Sequence, residues 1–242
     1  MKVWGITDVG LVRKENQDAY AIAEEPTTVC VVCDGMGGTN GGRLASSIAV
    51  STYVAELKKV LREDMTPEQL REASSYAVSL ANDEVRRAAQ QSEEYRSMGT
   101  TLVSAIAYPG GVVVSNVGDS RAYHITEDGI QRITRDHSLV ENMVERGDIT
   151  EEEARRHPNK NLITRALGPD MTTICDGFIC PLEKNDFVLL CSDGLVDTVT
   201  DQEMLFEVIH SEDVDSCLNR LLEISKSQGA PDNVTIVLMQ NN

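Results

Sequence analysis

Apolar residues fall along this chain in two rhythms. Short β-branched runs bounded by glycine, proline or aspartate predict strands at 2–9, 19–23, 29–33, 100–108, 111–118, 121–126, 130–133, 172–179, 186–191 and 234–239. Longer stretches repeat apolar positions at helical spacing. Leu44, Ile48, Val54, Leu57 and Leu61 mark a helix over 42–62, and Leu70, Ala77, Leu80 and Val85 mark another that starts at Pro67. Thr66-Pro67-Glu68-Gln69 supplies the start signal for that second helix: a capping threonine, proline at the first helical position and glutamine three residues after the cap. Two further helices are expected at 201–210 and 214–227. The strands between 100 and 133 are joined by Pro-Gly-Gly and Glu-Asp-Gly turns, which predicts one antiparallel meander. Residues 137–168 break the rhythm. They are polar, with short helical pieces at 138–146 and 150–156 and a Pro158-Asn159-Lys160-Asn161 loop, and are expected to form a mobile flap that influences substrate choice.

Blocks of strands separated by paired helices do not make a βαβ pattern. They predict an α+β fold, an antiparallel β-sandwich flanked on each side by a pair of helices, in four layers αββα. No repeat, linker or low-complexity tract interrupts residues 1–242, which reads as one domain. A hydrophobic fraction of 41% with only 4% aromatics predicts an aliphatic core. The net charge of -17, from 22 basic and 39 acidic residues, excludes nonspecific nucleic-acid binding, which needs a positive field. No apolar run approaches the ~18 residues of a membrane span, so no membrane insertion is expected. Met1–Gly5 lacks a signal-peptide core, and the six cysteines sit mostly in apolar runs, which points to a cytoplasmic protein with free thiols. Cys30 and Cys33 form a C-x-x-C, but residues three apart on a strand face opposite ways and no second pair completes a zinc site.

The candidate chemistry lies where apolar runs end in aspartate. Val29–Cys33 is followed by Asp34-Gly35-Met36-Gly37-Gly38, which predicts a carboxylate leaving the core at a strand end beside an uncovered Gly35 carbonyl. Such a pair suits a hard divalent cation, although a lone Asp-Gly is more often just a turn. The pattern recurs at Asp193-Gly194 and at Gly118-Asp119-Ser120-Arg121, and a fourth aspartate, Asp232, sits in Gly229-Ala230-Pro231-Asp232-Asn233 just before the apolar strand at 234–239. Four carboxylates so far apart in sequence meet only if the fold gathers strand ends, and two cations bridged by carboxylates would need such a set.

Thr7-Asp8-Val9-Gly10 with Arg13 and Asn16-Gln17-Asp18, then Cys33-Asp34-Gly35-Met36-Gly37-Gly38, Gly99-Thr100-Thr101, Gly118-Asp119-Ser120-Arg121, Asp136-His137-Ser138, Ser192-Asp193-Gly194 and Asp232-Asn233 follow one another in order. Together they resemble the type 2C metal-dependent serine/threonine protein phosphatases in their short bacterial form. The resemblance implies the same β-sandwich and an enzyme that hydrolyses phosphoserine and phosphothreonine on proteins. The attacking water would be metal-activated at a binuclear Mg²⁺ or Mn²⁺ centre. Asp34 would bridge both ions, with the Gly35 carbonyl on one and Asp193 and Asp232 on the other. Asp119, sharing Asp193, would match a weaker third-metal position. Asp18 and Asn233 would support the ligands from behind, and Arg13 would hold the substrate phosphate. The implied partners are phosphoproteins and a cognate Ser/Thr protein kinase, with the chain acting as a monomer. Met36 stands where some relatives carry a histidine acid, and Gln17 where some carry a glutamate, so the general acid stays unassigned.

Two other readings remain open on the sequence. A pseudo-enzyme could bind phosphoproteins without hydrolysing them, though none of the four aspartates is lost. A phosphatase could instead serve a small metabolite or a stress regulator. The histidines 124, 137, 157 and 210 show no metal-ligand spacing, and His137, at the entry to the flap, reads as a structural hydrogen-bonding residue.

Overall fold

The computed structural model describes residues 1–211 and 213–242, without the side chain of Thr39. Two antiparallel sheets form its centre. The first runs in the order β1 (Lys2–Asp8), β11 (Val234–Gln240), β10 (Phe187–Cys191), β7 (Arg121–Thr126) and β8 (Gly129–Arg132). The second runs β2 (Asp18–Ala23), β3 (Val29–Met36), β5 (Leu102–Tyr108), β6 (Gly111–Val117) and β9 (Asp176–Pro181), with the two-residue β4 (Gly99–Thr100) beside the end of β3. Helices α1 (Gly38–Val60) and α2 (Pro67–Ala89) pack on the second sheet, and α6 (Asp201–His210) and α7 (Val214–Ser227) on the first. Four layers enclose three apolar cores, one under each helix pair and one between the sheets.

Strand β3 shows why its apolar run is unbroken. Val29, Val31 and Cys33 face the helices, whereas Cys30 and Val32 face the other sheet, so alternate residues fill two different cores. Cys30 and Cys33 therefore point to opposite faces. The Thr66 capping box forms as its residues require, with Gln69 N–H donating to the Thr66 hydroxyl at 3.3 Å and Thr66 N–H to Gln69 Oε1 at 2.9 Å. Beneath the same helix pair, a chain of buried hydroxyls runs Ser104–Tyr53–Ser74–Ser115 with successive separations of 2.7, 2.6 and 2.6 Å.

The structure corrects the predicted meander. β5 and β6 form a hairpin, but β7 leaves for the first sheet, where it pairs with β10 and β8, and the other neighbour of β6 is β9. At Gly118, with φ of 106°, the chain turns a corner between sheets. A corner and a hairpin draw on the same turn residues, so sequence alone does not separate them. β3 also continues through Asp34 to Met36, so Asp34 lies within a paired strand opposite Asp18 and not at the strand's exit. α1 begins at Gly38, earlier than its apolar spacing suggested, and a short helix α5 (Asp193–Val196) was not foreseen. The strand expected at 172–179 is displaced to Asp176–Pro181, because Asn82 of α2 holds the carbonyls of Asp170 and Met171 and keeps the preceding segment irregular.

Segment 137–168 carries α3 (Leu139–Glu145) and α4 (Glu151–Arg155). Its base is closed by Leu139 N–H to Leu162 C=O at 2.9 Å, Thr164 N–H to His137 C=O at 2.7 Å and a bridge between Ser138 and Ile163. No helix among the described residues is long and apolar enough to cross a membrane.

Candidate active site

Both sheets contribute to one cavity of about 540 Å³, whose lining includes Arg13, Asp34, Gly35, Asp119, Asp193, Asp232 and Asn233. The four aspartates arrive on different elements. Asp34 is on β3, Asp119 occupies the corner between β6 and β7, Asp193 opens α5 directly after β10, and Asp232 precedes β11. Sequence positions spread over two hundred residues meet because the strands that carry them end on one side of the sandwich.

Backbone bonds fix Asp34. Its N–H donates to the Thr101 hydroxyl at 2.9 Å, and its carbonyl accepts from Thr101 N–H at 2.9 Å and the Thr100 hydroxyl at 2.8 Å. Gly35 next to it has no room for a side chain, since a Cβ there would lie 2.0 Å from the Gly42 carbonyl oxygen. Asp18, opposite Asp34, accepts from the hydroxyls of Ser192 and Thr235 at 2.7 Å each, both to Oδ2. Its Oδ1 and the Oδ1 of Asp193 are buried without a hydrogen-bond partner. Asn233 does not grip Asp232 with its side chain. That amide holds the loop bearing Arg13, donating to the Val9 and Glu15 carbonyls at 3.0 Å each and accepting from Gln17 N–H at 2.8 Å, while its backbone N–H donates to Asp232 Oδ1 at 2.8 Å. Arg13 Nη2 contacts Asp232 Oδ2 at 2.6 Å, with the Arg13 side chain 54% exposed.

The electrostatics are one-sided. Burial, then repulsion from Asp18, Asp193, Asp119 and Asp232, pushes Asp34 well above the usual carboxylate range. Asp193 is raised likewise, by burial and then by Asp119 and Asp232. Burial pushes Asp119 up to about 7, with Asp136 adding to it and Arg121 opposing. Asp18 is pushed up to about 6 by burial, despite the hydroxyls that favour its charge. Asp18 and Asp193 are the two carboxylates that raise Asp34 most after burial.

Among the described residues no three or more His, Cys, Asp and Glu side chains stand ready as a group that could hold a metal ion. Asp232 is engaged by Arg13, and the other carboxylates repel one another. The donor set nevertheless fits hard divalent cations: oxygen ligands only, two of them orphaned, beside a bare carbonyl. The basic lining residues are Arg13, which engages Asp232, and Lys14, whereas the largest influences on Asp34 and Asp193 after burial are other carboxylates.

Sequence reasoning left several lining residues without a role. Thr101, Lys14, Asn161 and Ile163 all line the cavity, the last two from segment 137–168. The Gly99-Thr100-Thr101 motif was the available signal for Thr101, but its task, bonding the backbone of Asp34, needs the pairing of β3 with β4 and β5 to be seen.

A family model described as protein phosphatase 2C matches residues 12–238. A serine/threonine phosphatase stp from Listeria innocua is 34% identical over 98% of this chain and 94% of its own length. The protein phosphatase PhpP of Streptococcus pneumoniae is 31% identical over 100% of this chain and 98% of its own. The crystal structure of the serine/threonine phosphatase Stp1 from Staphylococcus aureus superposes with a TM-score of 0.94 at 34% identity, covering 100% of this chain and 94% of that one.

Proposed function

This chain belongs to the protein phosphatase 2C family and is a serine/threonine protein phosphatase, and on that premise we propose that it works through a binuclear Mg²⁺ or Mn²⁺ centre. The observation that carries the proposal is the uncompensated acidity of the cavity, where Asp34 and Asp193 are raised together and Asp193 Oδ1 is orphaned. Asp34 would be shared by both ions, with the Gly35 carbonyl on one and Asp193 and Asp232 on the other. Asp119 with Asp193 would offer a weaker third position. Asp18, tethered by Ser192 and Thr235, would support Asp34 from behind.

When bound, the cations would offset the repulsion between a phosphate dianion and its attacker and make water acidic enough to react at neutral pH. Arg13 would hold the substrate phosphate, because its planar fork donates two hydrogen bonds and keeps its charge. Only its Nη2 is engaged by Asp232, which leaves other N–H groups of this half-exposed side chain for the phosphate. Asn233 sets the reach of Arg13 by tying down the loop that carries it. Met36 has no proton to give, so the departing serine or threonine oxygen takes one from another donor in the cavity.

We read residues 1–242 as one catalytic unit, with 137–168 as a flap bordering the cavity through Asn161 and Ile163. The substrates would be cytoplasmic phosphoproteins, and a cognate Ser/Thr protein kinase would supply them. Phosphate release from a phosphothreonine peptide, followed in EDTA, Mg²⁺ and Mn²⁺ for wild type and Asp193→Ala, tests the centre. Turnover that needs the metal and disappears in a folded variant supports it. Equal turnover in EDTA and Mn²⁺ overturns it.

A further inference from the structure

His137 is buried where segment 137–164 leaves and rejoins the sandwich. Its backbone N–H donates to the Gly118 carbonyl at 2.9 Å, and its ring Nδ1 lies 3.0 Å from the Gly118 nitrogen. One residue thus grips another through both backbone and side chain. A backbone amide can only donate, so Nδ1 carries the lone pair and the ring proton resides on Nε2. That proton faces Asp176 Oδ2 at 3.1 Å; Arg165 Nη1 also lies 2.9 Å from Nε2 but, as a donor facing a protonated nitrogen, makes its hydrogen bond to the second carboxylate oxygen, Oδ1, at 2.9 Å. Burial, with Arg165 close by at 2.9 Å, holds the imidazole below its ordinary pKa against the pull of Asp176, which keeps Nδ1 free to accept.

Gly118 is the corner at which the chain changes sheets, and Asp119 follows it. With φ of 106° and Thr101 Cγ2 only 2.6 Å from where a Cβ would stand, Gly118 admits no side chain of its own; Asn116 Nδ2 donates to its carbonyl at 3.2 Å, but among the described residues only His137 accepts from its N–H. His137 supplies the brace from outside. The same residue accepts Thr164 N–H at 2.7 Å through its carbonyl, so the brace is built into the closed base of the 137–164 segment.

We propose that His137 is a positioning residue for the reaction: by holding Gly118 through Nδ1 and its backbone N–H, it fixes Asp119 within the acidic cavity. The proposal rests on the reading of Asp119 as a cation ligand. Three variants of the full chain test it. In His137→Asn the amide Oδ1 stands near the place of Nδ1 and can accept from Gly118. In His137→Gln the amide reaches toward Asp176 and leaves Gly118 unpaired, as His137→Ala also does.

Exchange of the Gly118 amide is measured by NMR in EDTA, and kcat and KM on a phosphothreonine peptide are measured across a Mn²⁺ titration. The Gln and Ala variants should speed Gly118 exchange and lower kcat at limiting Mn²⁺ by roughly ten- to a hundredfold, the usual cost of losing an outer support of a metal ligand. KM should stay near wild type. The Asn variant should restore slow exchange and kcat together, which a general packing role would not predict. The proposal is overturned if Asn is as impaired as Gln, or if Gln loosens Gly118 without changing kcat or its Mn²⁺ dependence. Asp119→Asn is run alongside. If it keeps the wild-type Mn²⁺ dependence, the cation reading of Asp119 is what fails, and the joint change of Gly118 exchange and kcat still decides on His137.

Discussion

Two groups of polar side chains lie deep in this molecule, and they are built on opposite terms. Under α1 and α2, the hydroxyls of Ser104, Tyr53, Ser74 and Ser115 pass hydrogen bonds along a chain at 2.6–2.7 Å, so that each has a partner. In the cavity at the sandwich edge, carboxylates crowd together, raise one another's pKa and leave Asp18 Oδ1 and Asp193 Oδ1 with none. Buried polar groups cost stability unless they are paired. The hydroxyl chain meets that demand internally and fastens helices to a sheet. The acidic cavity leaves it unmet, which marks a place made for something positive from outside.

Substitution should make the two regions answer differently. The largest effect is expected at Asp193→Asn, which should lower metal-dependent turnover by at least roughly a thousandfold, as losing a main stabiliser of the reacting charge does. In EDTA the same variant should melt higher than wild type, because a repelled charge has gone. A lower melting temperature in EDTA would show that the carboxylate stabilises the fold and is not held there at a cost.

Acidity gives the next contrast. Asp119 and Asp18 titrate near 7 and 6 in the folded chain, against about 4 for an unfolded aspartate. Between those values the folded state binds more protons than the unfolded one, so stability in EDTA should rise as pH falls from about 7 toward about 4. Saturating Mn²⁺ should reverse the slope, since the ligands must then stay deprotonated. Calorimetric scans with and without Mn²⁺ check both signs, and parallel curves would break the distinction.

Tyr53→Phe removes the middle of the hydroxyl chain, leaving Ser104 without its hydroxyl partner and Ser74 with Ser115 alone. A loss of about 1–3 kcal/mol is expected, read as a lower urea midpoint with kcat unchanged. A fall in kcat at full folding would mean that the two regions are not separable. The smallest effect is assigned to Arg13→Ala. It should raise KM for a phosphopeptide by roughly tenfold, the worth of about one charged hydrogen bond. With no substrate present it should tighten Mn²⁺ binding by calorimetry, since Asp232 Oδ2 loses its competitor. Weaker Mn²⁺ binding in this variant would refute that competition.

The same division governs how much could be read from the sequence. Strands such as β7 and helices such as α6 and α7 follow directly from periodicity, because each buries one regular face or stripe. Asp34, Asp119 and Asp193 were visible as acids closing apolar runs, and Asp232 as an acid opening one. What stayed hidden depends on long-range pairing. The corner at Gly118 reads like a hairpin until β6 is seen to pair with β9, and only that corner carries Asp119 to the cavity. The contact of Arg13 with Asp232 joins residues 219 positions apart, and the hold of His137 on Gly118 joins separate loops. No local pattern encodes either. Asn233 was legible as a neighbour of Asp232, but its side chain serves the Arg13 loop through three bonds that only the folded chain brings within range.

Strand β11 lies between β1 and β10, and Lys2 pairs with Gln240 across nearly the whole chain. During synthesis β1 emerges first, yet its neighbour in the sheet arrives only after more than two hundred further residues. Until then β1 is separated from the rest of the first sheet, with the edges of β1 and β10 unpaired and free to pair wrongly. Asp232 and the Thr235 that tethers Asp18 arrive on that same late segment. A nascent chain that has not yet delivered β11 therefore has neither a closed first sheet nor a complete acid cluster.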